Sequence, residues 1–334
     1  MVRMIRGGAR QIGEGHLFLM QALAGLPFFL CAPLQAFGLS VPRHLPSASN
    51  KSSSAFSEQS SALPEIPQVA VAGFPPETQK QVEKAYAQVR RFPRDAEAVG
   101  KMGMLLDLYH HPVEAGACYR RAHLLQPAKF KWMYYWGALY LNQKNGEEAV
   151  SVLTLALRLR PDYLAARLKL GEALVEAGKI DQASKVYEVI LRDDPRTAEA
   201  YYGLGRVDAA RGDQAAAVGK FRKACELFPT YGAAHYGMSM AYRRLGKISE
   251  AEEQAKLHER NQYIVPPVAD PYRDELRALD MSAASHLDRG VELEQVGRME
   301  DAIAETERAL QLDPSLVKAH VNLLILYART GNVK

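Results

Sequence analysis

The chain has 334 residues, 48% hydrophobic and 24% charged, and its 42 Lys and Arg against 38 Asp and Glu give a formal charge of +4. The two signs are interspersed, which argues against the one-sided basic face of a nucleic-acid binder. Three cysteines in this length exclude a disulfide-framed fold.

At the N-terminus, Arg3, Arg6 and Arg10 precede an apolar run from His16 to Val41 that contains no acidic residue. Ala36-Phe37-Gly38 offers a small–x–small cleavage site. This is the layout of a secretory signal peptide over residues 1–38, so the sequence predicts an exported protein, periplasmic or secreted. An uncleaved membrane tether through residues 16–41 is the alternative, since the run is nearly long enough to span although Pro27 and Pro33 interrupt it. A leader with no targeting role is a third reading. Phe28-Phe29-Leu30 before Cys31 lacks the small residues that a lipidation site requires. Residues 39–76 are rich in Ser and Pro without any helical or strand period, and they read as a disordered linker. A single helix follows at Glu77–Arg91, and residues 77–95 read as a cap on what comes next.

What comes next is periodic. Pro93, Pro127, Pro161, Pro195 and Pro229 stand 34 residues apart. With proline at place 32 of a unit that begins at Ala96, other places fall into register. Place 8 is Gly103, Gly137, Gly171 and Gly205, broken only by Ser239; place 20 is Ala115, Ala149, Ala183, Ala217 and Ala251; place 24 is Tyr119, Leu153, Tyr187, Phe221 and Ala255. Small residues at places 8 and 20 let two antiparallel helices approach, and the large residue at place 24 fills the gap beside them. Glycine near place 15 (Gly178, Gly212 and Gly246, with Gly146 two places late) supplies the left-handed residue that ends a first helix. Proline cannot continue a helix, so it marks the end of the second one or the first turn of the next.

These places resemble the tetratricopeptide repeat, and the unit Leu164–Thr197 is the cleanest copy. The resemblance implies an all-α fold of tandem helix–turn–helix units stacked as a right-handed superhelical solenoid. Five units occupy residues 96–265. The period then slips at Pro266-Pro267, because Pro314 lies 85 residues beyond Pro229. Residues 266–281 read as a proline-rich connector with a short helix, expected to bend or interrupt the stack. Residues 282–334 hold a sixth unit and the first helix of a seventh, whose Val321, Leu323, Leu324, Ile325 and Leu326 are apolar for a terminal face.

No catalytic constellation emerges from the sequence, and neither a cofactor nor a metal is expected. His110-His111 falls at a turn, where adjacent residues point apart, and His235, His286 and His320 share place 4, a helix–helix position. Cys118 and Cys225 lie three units apart and read as separate core thiols. The resemblance implies a concave face lined by the first helices at places 2, 5, 6, 9, 12 and 13. There stand Lys131, Tyr134, Tyr135 and Asn142, then Lys169, Glu172 and Glu176, then Glu199, Tyr202 and Arg206, then Tyr236, Met240, Arg243 and Arg244. Tyrosine and arginine are favoured where binding energy concentrates. Lys131, Lys169 and Arg206 lack the accompanying asparagines of repeats that clamp a C-terminal carboxylate, so that ligand is not indicated. The sequence therefore predicts a non-enzymatic scaffold that holds a protein or peptide segment in its groove. Two alternatives remain: a docking module of a larger enzyme or redox protein, and a self-assembling scaffold.

Overall fold

The computed structural model describes residues 63–74 and 76–331. The expected signal peptide, and the linker up to residue 62, lie outside the described residues. Part of the expected disordered linker is ordered. Tyr86 accepts a hydrogen bond from Val69 N and donates one to Pro67 O, each at 2.8 Å, while Arg121 donates to Pro64 O at 2.6 Å. Ile66, Val69 and Val71 pack on the core, so apolar residues among the prolines tie the segment down.

Helix α1 spans Pro76–Arg91. Five helix pairs follow: α2 (Ala96–Leu108) with α3 (Pro112–Leu125), α4 (Phe130–Asn142) with α5 (Gly146–Leu159), α6 (Leu164–Glu176) with α7 (Ile180–Asp193), α8 (Ala198–Ala210) with α9 (Gln214–Leu227), and α10 (Gly232–Arg244) with α11 (Ile248–Asn261). A short α12 (Pro271–Arg277) precedes a second series, α13 (Ala283–Gln295), α14 (Met299–Leu312) and α15 (Val317–Thr330). Each first helix packs on its own second helix and on the neighbouring unit, unbroken from α1 to α11 and again from α13 to α15. The described residues thus form an all-α solenoid in two series joined through α12.

The recurring proline has a more specific place than the sequence suggested. It is the second residue of a β-turn between units: Lys129 N bonds Gln126 O around Pro127, and Tyr163 N bonds Arg160 O around Pro161. The same closure recurs at Thr197 with Asp194, Tyr231 with Phe228 and Leu316 with Asp313. Proline's fixed φ suits that turn position, and its missing N–H is not needed there.

The place-24 ring explains the small residues around it. A Cβ added to Gly171 would stand 2.5 Å from the Tyr187 ring, and one added to Gly203 of the next unit 2.2 Å from it. Phe221 is flanked likewise by Gly205 at 2.5 Å and Gly237 at 2.7 Å. At these two places one ring therefore wedges into a slot made by two glycines on successive first helices, which couples the third unit to the fourth and the fourth to the fifth.

Two expectations, one at a turn and one at a helix–helix position, need correction. Gly146 does not supply a late left-handed turn residue: Lys144, at place 15, adopts φ 63°, as His110 does in the unit before. Gly146 instead starts α5, where a Cβ would lie 2.8 Å from Ala177 N, so it is a close-approach glycine. His235 and His286 are buried as place 4 requires. His320 is exposed, because α15 packs on α14 with its other face open among the described residues. Its Nε2 lies 2.9 Å from Pro314 O, the partner geometry His235 makes with Pro229 O at 2.9 Å. Val317, Val321, Leu324 and Ile325 on α15 are exposed. Cys118 and Cys225 are free thiols, and burial pushes them up to about 12 and about 11.

Candidate functional site

The first helices α2, α4, α6, α8 and α10 carry the groove positions, and the structure divides those positions into a filled stretch and an open one. Over α4 the groove holds the chain's own residues 268–279. Val268, Tyr272, Leu276 and Leu279 pack against the core formed by the early repeats. The connector expected to bend the stack therefore also lies along its inner face, which accounts for the low exposure of Lys131 (8%), Tyr134 (2%) and Tyr135 (2%). These three were expected to line a groove available to a partner; here they hold an internal segment.

The contacts follow chain order. Asp270 is buried and caps the N-terminus of α12, accepting from Arg273 N at 3.2 Å. It also accepts from the Tyr163 hydroxyl at 2.7 Å and from the Tyr134 hydroxyl. Burial first, and the Asp270 carboxylate second, push both tyrosines well above their ordinary range, so both remain protonated donors. Tyr272 sets its ring among four others: Phe130 at 5.5 Å, Tyr134 at 5.9 Å, Tyr135 at 6.0 Å and Tyr163 at 5.6 Å between centroids. These separations suit offset and edge-on aromatic packing. Arg160 lies over the Phe130 and Tyr163 rings and donates to the Tyr272 hydroxyl at 3.3 Å.

One turn further, Glu275 meets Lys131 at 3.3 Å and accepts from the Tyr135 hydroxyl at 3.0 Å. Lys131 is also paired with Glu97 of α2 at 2.7 Å, so its buried ammonium is shared between two carboxylates. At the far end, Gln81 of α1 donates to Leu279 O at 2.9 Å and accepts from the Tyr109 hydroxyl at 2.8 Å. The segment thus runs against the order of the repeats, from the start of α6 back to α1. Sequence reasoning missed Phe130, Tyr163, Asp270, Tyr272 and Glu275 as groove residues. The available signal was an aromatic at place 34 (Tyr163 and Tyr231) together with an inserted Asp-Pro-Tyr.

The open stretch covers α6, α8 and α10. Asn142 at the end of α4 is exposed, and Lys169 is partly so. Tyr202 is half-buried, with its ring 5.1 Å from Tyr231 and 5.7 Å from Phe221. Arg206 lies over the Tyr202 ring and 3.8 Å from Glu172. Glu176 pairs with Lys144 at 3.0 Å. Glu199 is half-buried, one of its oxygens has no hydrogen-bond partner, and burial raises its carboxyl above the usual range. Tyr236 is 52% exposed, its ring 5.1 Å from His258, and Met240, Arg243 and Arg244 beside it face solvent. Among the described residues no group of three or more His, Cys, Asp or Glu is arranged to hold a metal.

Residues 140–207 match the tetratricopeptide repeat family model. Superkiller complex protein 3 of Mus musculus is 29% identical over 189 residues, 54% of this chain and 12% of that protein. Tetratricopeptide repeat protein 7A of Homo sapiens is 35% identical over 117 residues, 35% of this chain and 14% of that protein. The chain thus matches only a small part of these relatives' length. Among solved structures, a tetratricopeptide repeat protein from Parabacteroides merdae superposes with a TM-score of 0.51 at 15% identity, covering 75% of this chain and 92% of that one. The described fold is a tandem tetratricopeptide repeat solenoid.

Proposed function

We propose that this repeat array is a non-enzymatic scaffold that binds a protein segment along the open stretch of its groove, over α6, α8 and α10. The observation that carries the reading is Tyr236, more than half exposed on a rigid first helix, with Met240, Arg243 and Arg244 around it and Tyr202 and Arg206 one unit away. Tyrosine and arginine are the residues enriched where binding energy concentrates, and an extended or helical partner would pack on the rings and pair with the cations. The helices fix these side chains in advance, so binding would lose less entropy than on a flexible surface. Pull-down from the native compartment followed by affinity measurement tests the assignment. Tyr202→Ala with Tyr236→Ala should weaken the captured partner by tenfold or more, at unchanged helical circular dichroism; unchanged affinity would reject it.

The leader at residues 1–38 supports export of the scaffold, with tethering through residues 16–41 as the alternative. Fractionation of cells expressing the tagged full chain distinguishes them: a shortened soluble product outside the cytoplasm supports export, a full-length membrane-bound one the tether, and a full-length cytosolic one neither.

A further inference from the structure

We propose that residues 268–279 are an intramolecular ligand, and that the groove beneath them in the first two repeats is a recognition site for protein segments of the pattern Asp-x-Tyr-x-x-Glu. The inference rests on the reading of the array as a binder of protein segments, but it concerns a different stretch from Tyr202 and Tyr236.

The position of the segment is the first argument. The period is interrupted by this insertion and resumes after it, and α1 to α11 pack on one another directly. Residues 268–279 thus extend no stack; they run along the groove across successive first helices, where a bound segment would lie. Their flanks are not helical: residues 264–270 precede α12 and residues 278–282 follow it, so the segment can leave without unpacking a repeat.

The second argument is that each anchor meets a specific set of side chains. The carboxylate of Asp270 is read by two tyrosine hydroxyls, Tyr134 and Tyr163. The ring of Tyr272 fits among Phe130, Tyr134, Tyr135 and Tyr163. The carboxylate of Glu275 is read by the Lys131 ammonium and the Tyr135 hydroxyl. Acid, ring and acid at this spacing, from the N-cap to the second turn of α12, form a chemical pattern, and buried donors left without acceptors would reject segments that lack it.

Tethering sets how a partner gains access. A segment tethered at both ends by short stretches of chain has an effective concentration on the order of millimolar. A competing segment is weakened by the fraction of time the groove is free. The groove in the resting chain is therefore reserved for partners that match the pattern well or are present at high local concentration.

The test uses a fluorescein-labelled peptide spanning residues 266–281 and the full chain with Asp270→Ala, Tyr272→Ala and Glu275→Ala. The peptide should bind this variant at least about tenfold more tightly than the wild-type chain. Adding Tyr134→Phe and Tyr163→Phe should remove most of that gain. A variant that keeps its helical circular dichroism and cooperative melt, yet binds the peptide no better than wild type, overturns the proposal. Should the triple variant not fold, the wild-type chain serves. A peptide with a photoreactive phenylalanine at the Tyr272 position, added at about millimolar concentration to compete with the tether, should crosslink to α4; crosslinks only elsewhere, or none, overturn the proposal. Tyr202→Ala with Tyr236→Ala should leave this peptide's affinity unchanged, so failure of either site is read separately from the other.

Discussion

The Tyr163 hydroxyl donates to Asp270 Oδ1 at 2.7 Å, joining residues 107 positions apart, and the other carboxylate oxygen takes the Tyr134 hydroxyl. One buried carboxylate therefore fixes the return segment to the first helices. Replacing Asp270 by Ala leaves two buried hydroxyls without an acceptor, at about 1–3 kcal/mol each. The expected loss is about 2–6 kcal/mol, against about 1 kcal/mol for Tyr163→Phe, which removes a single bond. Urea unfolding followed by circular dichroism measures both. Equal midpoints for Asp270→Ala and wild type would mean that Asp270 does not hold the segment.

Asp107 gives the fold a pH dependence of definite sign. Burial raises its carboxyl from 3.8 to about 6, and the hydrogen bond from the Tyr119 hydroxyl at 3.2 Å offsets this only in part. The folded state therefore binds its proton more tightly than the unfolded state. The stabilising contribution is complete below the unfolded value near 3.8 and is lost as pH rises through the folded value near 6. Asp107→Asn keeps an acceptor for Tyr119 and removes the buried charge. It should therefore raise stability at pH 7 by up to about 3 kcal/mol, at about 1.4 kcal/mol per tenfold change in proton affinity. At pH 3.5 the difference should shrink toward zero. Urea midpoints of both chains at the two pH values decide it: a gain of the same size at both would show that the effect is packing and not charge.

What the sequence made legible follows from where the physics is local. Helix pairing and the turn proline are written into successive units, because each faces the same kind of neighbour, and a place such as Gly171 or Ala183 repeats its environment. The left-handed residue was half legible: glycine announces it at Gly178, Gly212 and Gly246, while Lys144 and His110 adopt the same φ without any compositional mark. The return of residues 268–279 was not legible, because it is a single long-range event. Pro266-Pro267 said that the stack must break, but the destination depends on Asp270 finding Tyr134 and Tyr163, and no periodicity encodes that pairing. The place-5 and place-6 tyrosines of α4 looked like groove residues for the right reason, since they do face inward; what faces them is the chain itself.

The glycines that admit the wedge ring provide a test with an internal control. Both Gly203 in α8 and Gly219 in α9 are interior helical positions, where alanine is favoured over glycine by about 1 kcal/mol. At Gly219 an added Cβ meets nothing within 4 Å, so Gly219→Ala should raise stability by about that amount. At Gly203 the Cβ would lie 2.2 Å from the Tyr187 ring, which cannot withdraw because Gly171 already stands against its other side. Overpacking of this kind costs roughly 1–3 kcal/mol even after relaxation. The helix-propensity gain is therefore cancelled or outweighed, and Gly203→Ala should be neutral to destabilising while Gly219→Ala stabilises. Replacing Tyr187 by Leu in the Gly203→Ala background removes the colliding ring edge and should recover part of the loss, a coupling read from the four-chain cycle. If Gly203→Ala stabilises as much as Gly219→Ala, the ring is not wedged, and the coupling between the third and fourth units must come from elsewhere.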